Sequence, residues 1–245
     1  MAAQAGIINE RHQTRQRERL FYTGMAGAMV LTVFAGFSRT FYLRPYFQTQ
    51  PLIPLLILHG VVFSSWIALT VIQTTLVATK RIRTHMRLGI AGGVLATLMI
   101  LIGTVTAVVR AKGSSPIPGV NPLSFLTIPL GDMLVFAILV GSAFYFRRRA
   151  DAHKRLMLLA TIGLLPAAVA RLPIGFIKAG GPLTFFGLAD LFIVPCLIFD
   201  VVTRGRPHRA TVLGGLLIVA SHPLRLVIGN THAWLAFATW LTQWI

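Results

Sequence analysis

The sequence predicts an all-α integral membrane protein. It crosses the bilayer seven times, N-terminus inside and C-terminus outside, and ends in a short Trp-rich interfacial helix. Three observations predict this. Seven apolar stretches each supply the ~20 helical residues that a bilayer core of about 30 Å requires. Only 12% of the 245 residues are charged and 55% are hydrophobic, whereas soluble domains carry roughly 25% charged residues. Lys and Arg gather in alternate connections between the apolar stretches, which is the bias that orients membrane helices.

Residues 1–19 form a basic tail with Arg11, Arg15, Arg17 and Arg19. No short apolar region with a small-residue cleavage site follows, so no removable signal peptide is expected and the tail is assigned to the cytoplasm. The transmembrane domain runs over 20–230, with spans at 20–42, 52–78, 86–110, 124–146, 155–173, 183–203 and 209–230. The turn at 79–87 carries Lys80, Arg81, Arg83 and Arg87; the turn at 147–155 carries Arg147, Arg148, Arg149, Lys154 and Arg155; the turn at 204–209 adds Arg204, Arg206 and Arg209. With the tail, these turns hold sixteen of the 23 Lys and Arg residues. The positive-inside rule then orients the chain N-in and C-out, and a multi-pass protein of the cell inner (plasma) membrane is expected. The net charge of +17 is accordingly read as topology and as affinity for anionic lipid headgroups, not for nucleic acid.

The connection 111–123 is rich in Pro and Gly and reads as a loop over the outer half. Segment 231–245 holds Trp234, Trp240 and Trp244 and no charged residue. It fits an outer-face interfacial helix or a docking segment for a membrane-protein partner. The lone Cys196 excludes an intramolecular disulfide and reads as packing. Gly89 and Gly93, one turn apart, suit close helix approach. His12, His208 and His232 fall in tails or turns and read as surface residues.

Polar residues at membrane depth carry the functional signal. His59, Trp66, Thr70 and Gln73 lie within roughly 60° of one another at about 100° per residue, so the second span has one semi-polar stripe that must face protein, water or a cofactor. His59, Asp132, Asp190 and His222 each lie about eight or nine residues from the outer end of their span, roughly 12 Å at 1.5 Å per residue. A charge at that depth costs about 2.5–3.5 kcal/mol on insertion scales, so such groups turn inward and find partners. Each could be satisfied one at a time by a neighbouring helix. Alternatively His59 and His222 are axial ligands of a haem, or all four residues hold zinc or iron, or the group relays protons. At the inner face His85 and His153 each open a span beside arginines. They read either as part of a headgroup-binding rim or as a second bis-His site.

Two phrases carry a resemblance. The first is a helix with His59, Gln73 and Leu76, then a basic turn with Arg83, then His85-Met86-Arg87-Leu88-Gly89. The second is His153-Lys154-Arg155-Leu156-Met157 leading to Arg171. Over roughly residues 55–171 the chain resembles a family of uncharacterised bacterial multi-pass membrane proteins. The helix-borne histidines also resemble those of transmembrane dihaem b-type cytochromes. That resemblance implies haem b near each face, the outer haem held by His59 and His222 and the inner by His85 and His153. Seven-span hydrolases that place His and Asp around zinc are a weaker comparison, because the last span lacks a closely spaced H-x-x-x-H.

The leading expectation is a haem-binding protein of membrane electron transfer. In it Asp132 and Asp190 orient ligand N–H groups or pass protons, and Arg171 and Arg225 pair with haem propionates. The alternatives are a metal-dependent intramembrane enzyme using His59, Asp132, Asp190 and His222, and a non-catalytic subunit or transporter docked through 231–245.

Overall fold

The computed structural model describes residues 2–47, 49, 51–113, 115 and 119–244. The described residues form helices and turns only. Helix α1 (Ala2–Phe37) ends in a π turn over Ser38–Tyr42 and a 3-10 turn over Arg44–Phe47. Helices α2 (Pro54–Ala78) and α3 (Ile82–Ala111) follow. A short α4 (Pro122–Phe125) leads into α5 (Thr127–Tyr145), and α6 (Ala150–Ile162) continues through a tight turn into α7 (Pro166–Val169). Helices α8 (Gly175–Asp190), α9 (Ile193–Arg204), α10 (Arg209–Ile228) and α11 (His232–Thr242) complete the chain.

Among the described residues, seven helical segments are long and apolar enough to cross a membrane: Gln16–Tyr42, Pro54–Ala78, Ile82–Ala111, Pro122–Tyr145, Ala150–Val169, Gly175–Arg204 and Arg209–Ile228. Their lipid-compatible faces stay open, as at Leu31, Ile90, Val202 and Leu213. The chain is a multi-pass membrane protein.

The boundaries differ from the sequence reading in instructive ways. The basic stretch ahead of the first span is helical, forming the N-terminal part of α1. The fifth span begins at Ala150 rather than 155, because Arg155 finds a buried carboxylate and so sits inside the helix instead of at its rim. The sixth begins at Gly175 rather than 183. There Gly181 takes φ 62° ahead of Pro182, which bends the chain without ending the span. Local chemistry sets other ends. Pro54 occupies the first turn of α2, where its missing N–H has no helical partner to lose. Asn121 caps α4 by accepting from the Leu123 amide at 2.9 Å.

The turns at 79–81, 146–149 and 205–208 share one end of the bundle, called here the basic end. Within the first of them Lys80 takes the left-handed φ of 62° that lets α2 reverse into α3. Burial locates the centre of the bundle: two-thirds of the fifth span (67%) is enclosed against 6% of the second. Helices α5 and α6 pack on each other and on α10, α3 packs on α2 and α5, and α7 joins α1 to α8. At mid-depth Trp66 is 1% exposed. Its indole donates to Thr161 Oγ1 at 3.2 Å and its ring meets Phe136 edge-on at 5.1 Å. The semi-polar stripe of α2 therefore faces protein.

Candidate functional site

Three polar clusters lie within the helices. The first is at the basic end. His85 is the fourth residue of α3 and His153 the fourth of α6, so the two tight turns preceding these helices set both imidazoles at one end. Their ring centroids are 6.5 Å apart with the planes at 78°. His153 Nδ1–H donates to the Ala143 carbonyl on α5 at 2.8 Å. A carbonyl only accepts, so this bond fixes the tautomer and leaves Nε2 as a lone pair. Gln73 reaches the other ring from α2. With the amide turned to satisfy both its ends, its nitrogen donates to His85 Nδ1 at 2.6 Å and its oxygen accepts from the Gly89 amide at 3.2 Å.

The second cluster lies toward the opposite end, between α5, α8 and α10. Arg225 donates to Asp132 and, at 2.9 Å, to Ser221 Oγ. Its guanidinium passes so close over α5 that a Cβ on Gly131 would sit 2.3 Å from Arg225 Nε. One turn away, His222 lies flat on Phe186, with centroids 4.0 Å apart and planes at 7°. His222 Nδ1–H donates to Asp190 Oδ2 at 3.2 Å. Phe186 also carries Arg225 at 5.9 Å, so one aromatic ring joins the Arg225–Asp132 ion pair to the His222–Asp190 hydrogen bond. Among the described residues, His222 Nε2, Asp190 Oδ1 and Arg225 Nε are buried without hydrogen-bond partners. Because charges in a bilayer must be paired internally, this cluster explains how two acids and an arginine are tolerated there.

The third cluster joins α6, α9 and α10 near the basic end. Arg155 Nε donates to Asp200 Oδ1 at 2.8 Å, and the pair is 3% and 1% exposed. The other Asp200 oxygen accepts from Thr211 Oγ1 and, at 3.1 Å, from the His208 amide. Outside it, Asp151 pairs with Lys154 at 3.3 Å and Arg204 at 3.1 Å, and Glu18 reaches Lys154 at 2.9 Å. His208 lies between spans, and burial, then the charges of Arg155 and Arg204, hold its pKa below the usual imidazole value.

Of the residues singled out by depth, Asp132, Asp190 and His222 share one cluster, with Arg225 as the partner that the carboxylate of Asp132 requires. His59 stands apart. It stacks on Phe63 of its own helix at 4.1 Å, and its Nδ1 is buried without a partner among the described residues. Arg171 lies over Phe37 at 4.8 Å and donates to the Ala167 carbonyl. Among the described residues no three His, Cys, Asp or Glu side chains converge as a metal ion would need; the carboxylate of Asp132 is already taken by Arg225. Sequence reasoning missed the Arg155–Asp200 pair, counting Arg155 among the rim cations. An aspartate inside the apolar run Cys196–Val202 was the available signal. No family model, curated protein or solved structure matches this chain.

Proposed function

We propose that this membrane protein binds haem b between His85 and His153 and passes electrons through it. One observation carries the reading: two imidazoles from different helices lie together, ring centroids 6.5 Å apart and planes at 78°. His85 and His153 would hold the haem iron through their imidazole nitrogens. His153 fits as it stands, since a ligating histidine usually gives its other N–H to a carbonyl or carboxylate. His85 would ligate only after its ring proton moves from Nε2 to Nδ1, with the Gln73 amide turned over and its bond to the Gly89 amide given up. Haem supplies one-electron chemistry when bound. The chain's own residues hold the rings and set the polarity around them.

The expected outer haem draws less support. His222 has the posture of a ligand, Nδ1 given to Asp190 and Nε2 free, but His59 is engaged elsewhere. The charge pattern supports an N-in, C-out orientation in a bacterial inner membrane, with the basic end on anionic cytoplasmic headgroups. The exposed Trp240 of α11 and Trp244 just beyond it suit the opposite interface or a membrane-protein partner.

The test is the absorption spectrum of protein purified from a haem-replete host, oxidised and dithionite-reduced. A Soret band with reduced-state α and β bands is expected, abolished or shifted by His85→Ala and by His153→Ala but kept in His59→Ala. A spectrum without a Soret band, or one indifferent to both substitutions at the basic end, overturns the proposal.

A further inference from the structure

His208 sits where the chain turns from α9 into α10, and its side chain caps the following helix. Its Nδ1 accepts from the Ala210 amide at 3.0 Å. Histidine is an unusual choice there, since Ser, Thr, Asp and Asn are the preferred capping residues. They keep their acceptor at every physiological pH, whereas an imidazole loses Nδ1 as an acceptor on protonation. The same residue is tied into the third cluster through its backbone, whose N–H donates to Asp200 Oδ2 at 3.1 Å. Thr211, one turn into α10, donates to that same oxygen.

We propose that His208 is an acid-sensitive latch on the first turn of α10, beside the buried Arg155–Asp200 pair, and that it releases the Ala210 amide when the imidazole takes up a proton. Protonation removes the acceptor that holds the Ala210 amide. It also puts a cation at a helix N-terminus, where the macrodipole is unfavourable to positive charge. The groups that face the imidazole act in both directions. Arg155 from α6 and Arg204 from α9 oppose the proton, and Asp200 from α9 and Asp151 from α6 favour it. Burial and the two arginines prevail, so the proton is bound less readily here than in the unfolded chain. Unfolding therefore takes up protons. The latch contributes fully above the ordinary imidazole pKa of about 6.5 and is lost as pH falls through that value and below. Helix α10 carries His222 and Arg225 farther along, so release loosens the near end of the helix that holds the second cluster together.

The experiment compares the full-length chain in detergent at pH 7.5 and 5.5, as wild type, His208→Asn and His208→Ala. Asparagine keeps a capping acceptor that does not titrate in this range. In wild type, acid is expected to lower the protection of the Ala210 and Thr211 amides against hydrogen exchange about fivefold, the ratio implied by a lost cap of ~1 kcal/mol. His208→Asn should hold its protection at both pH values, and His208→Ala should show the reduced value already at pH 7.5. Should His208→Ala fail to fold, the wild-type and asparagine proteins decide alone. An equal acid-induced loss in wild type and His208→Asn overturns the latch.

Discussion

Gly131→Ala is the smallest change that tests the second cluster. The added methyl would sit 2.3 Å from Arg225 Nε, 2.6 Å from its Cδ and 3.0 Å from its Cγ. Ordinary carbon contacts lie at about 3.5–4.0 Å, so the side chain would have to recede by more than ~1 Å. A free arginine would do so at little cost. This one is held at its far end by Asp132 and Ser221 and lies against Phe186. Overpacking a tight interior costs about 1–3 kcal/mol, and parting a buried ion pair costs about 3–5 kcal/mol. A loss between these limits, about 2–4 kcal/mol, corresponds to a fall in Tm of about 5–15 °C for a domain of this size. Thermal unfolding in detergent measures it. The decisive control repeats Gly131→Ala in a background carrying Asp132→Asn and Arg225→Ala, where nothing overhangs the glycine. There the methyl should be nearly neutral, so the two perturbations are strongly non-additive. An equal loss in both backgrounds would refute the reasoning, as would a single-variant Tm within about 2 °C of wild type.

Asp200→Asn should lower Tm strongly, by the equivalent of about 3–5 kcal/mol, because it leaves Arg155 charged and buried. Asp151→Asn should change Tm by less than about 2 °C, since that carboxylate is 53% exposed in its pairs with Lys154 and Arg204. Trp234→Phe removes the indole donor to the Leu123 carbonyl, so limited proteolysis should reach α11 sooner than in wild type. Trp244→Phe, at an exposed ring, should leave the cleavage rate unchanged. Equal rates for the two variants would show that α11 is not anchored through Trp234.

The spans were legible because one length, the thickness of the hydrocarbon core, sets the minimum run of apolar residues whatever the helices do next. Depth was legible for the same reason, and Asp132, Asp190 and His222 do come together. Depth, however, is one coordinate of three. Contact also depends on which helices are neighbours and how each is rotated, and these follow from packing that no periodicity records. His59 shares the depth of His222, but α2 packs chiefly on α1 and α3 while α10 packs on α5, α6 and α8. Depth alone therefore does not decide which of these residues meet. Arg155 shows the converse error. Counting cations per turn assigns it to the rim, yet a carboxylate 45 residues away in sequence draws it inside. His85 and His153 do lie together, because tight turns fix their depth and the packing of α3 on α5, and of α5 on α6, supplies the neighbour relation. A short turn carries two coordinates at once, the level of the next residue and the helix beside it. For that reason the turn-borne histidines, rather than the deep ones, support the functional proposal.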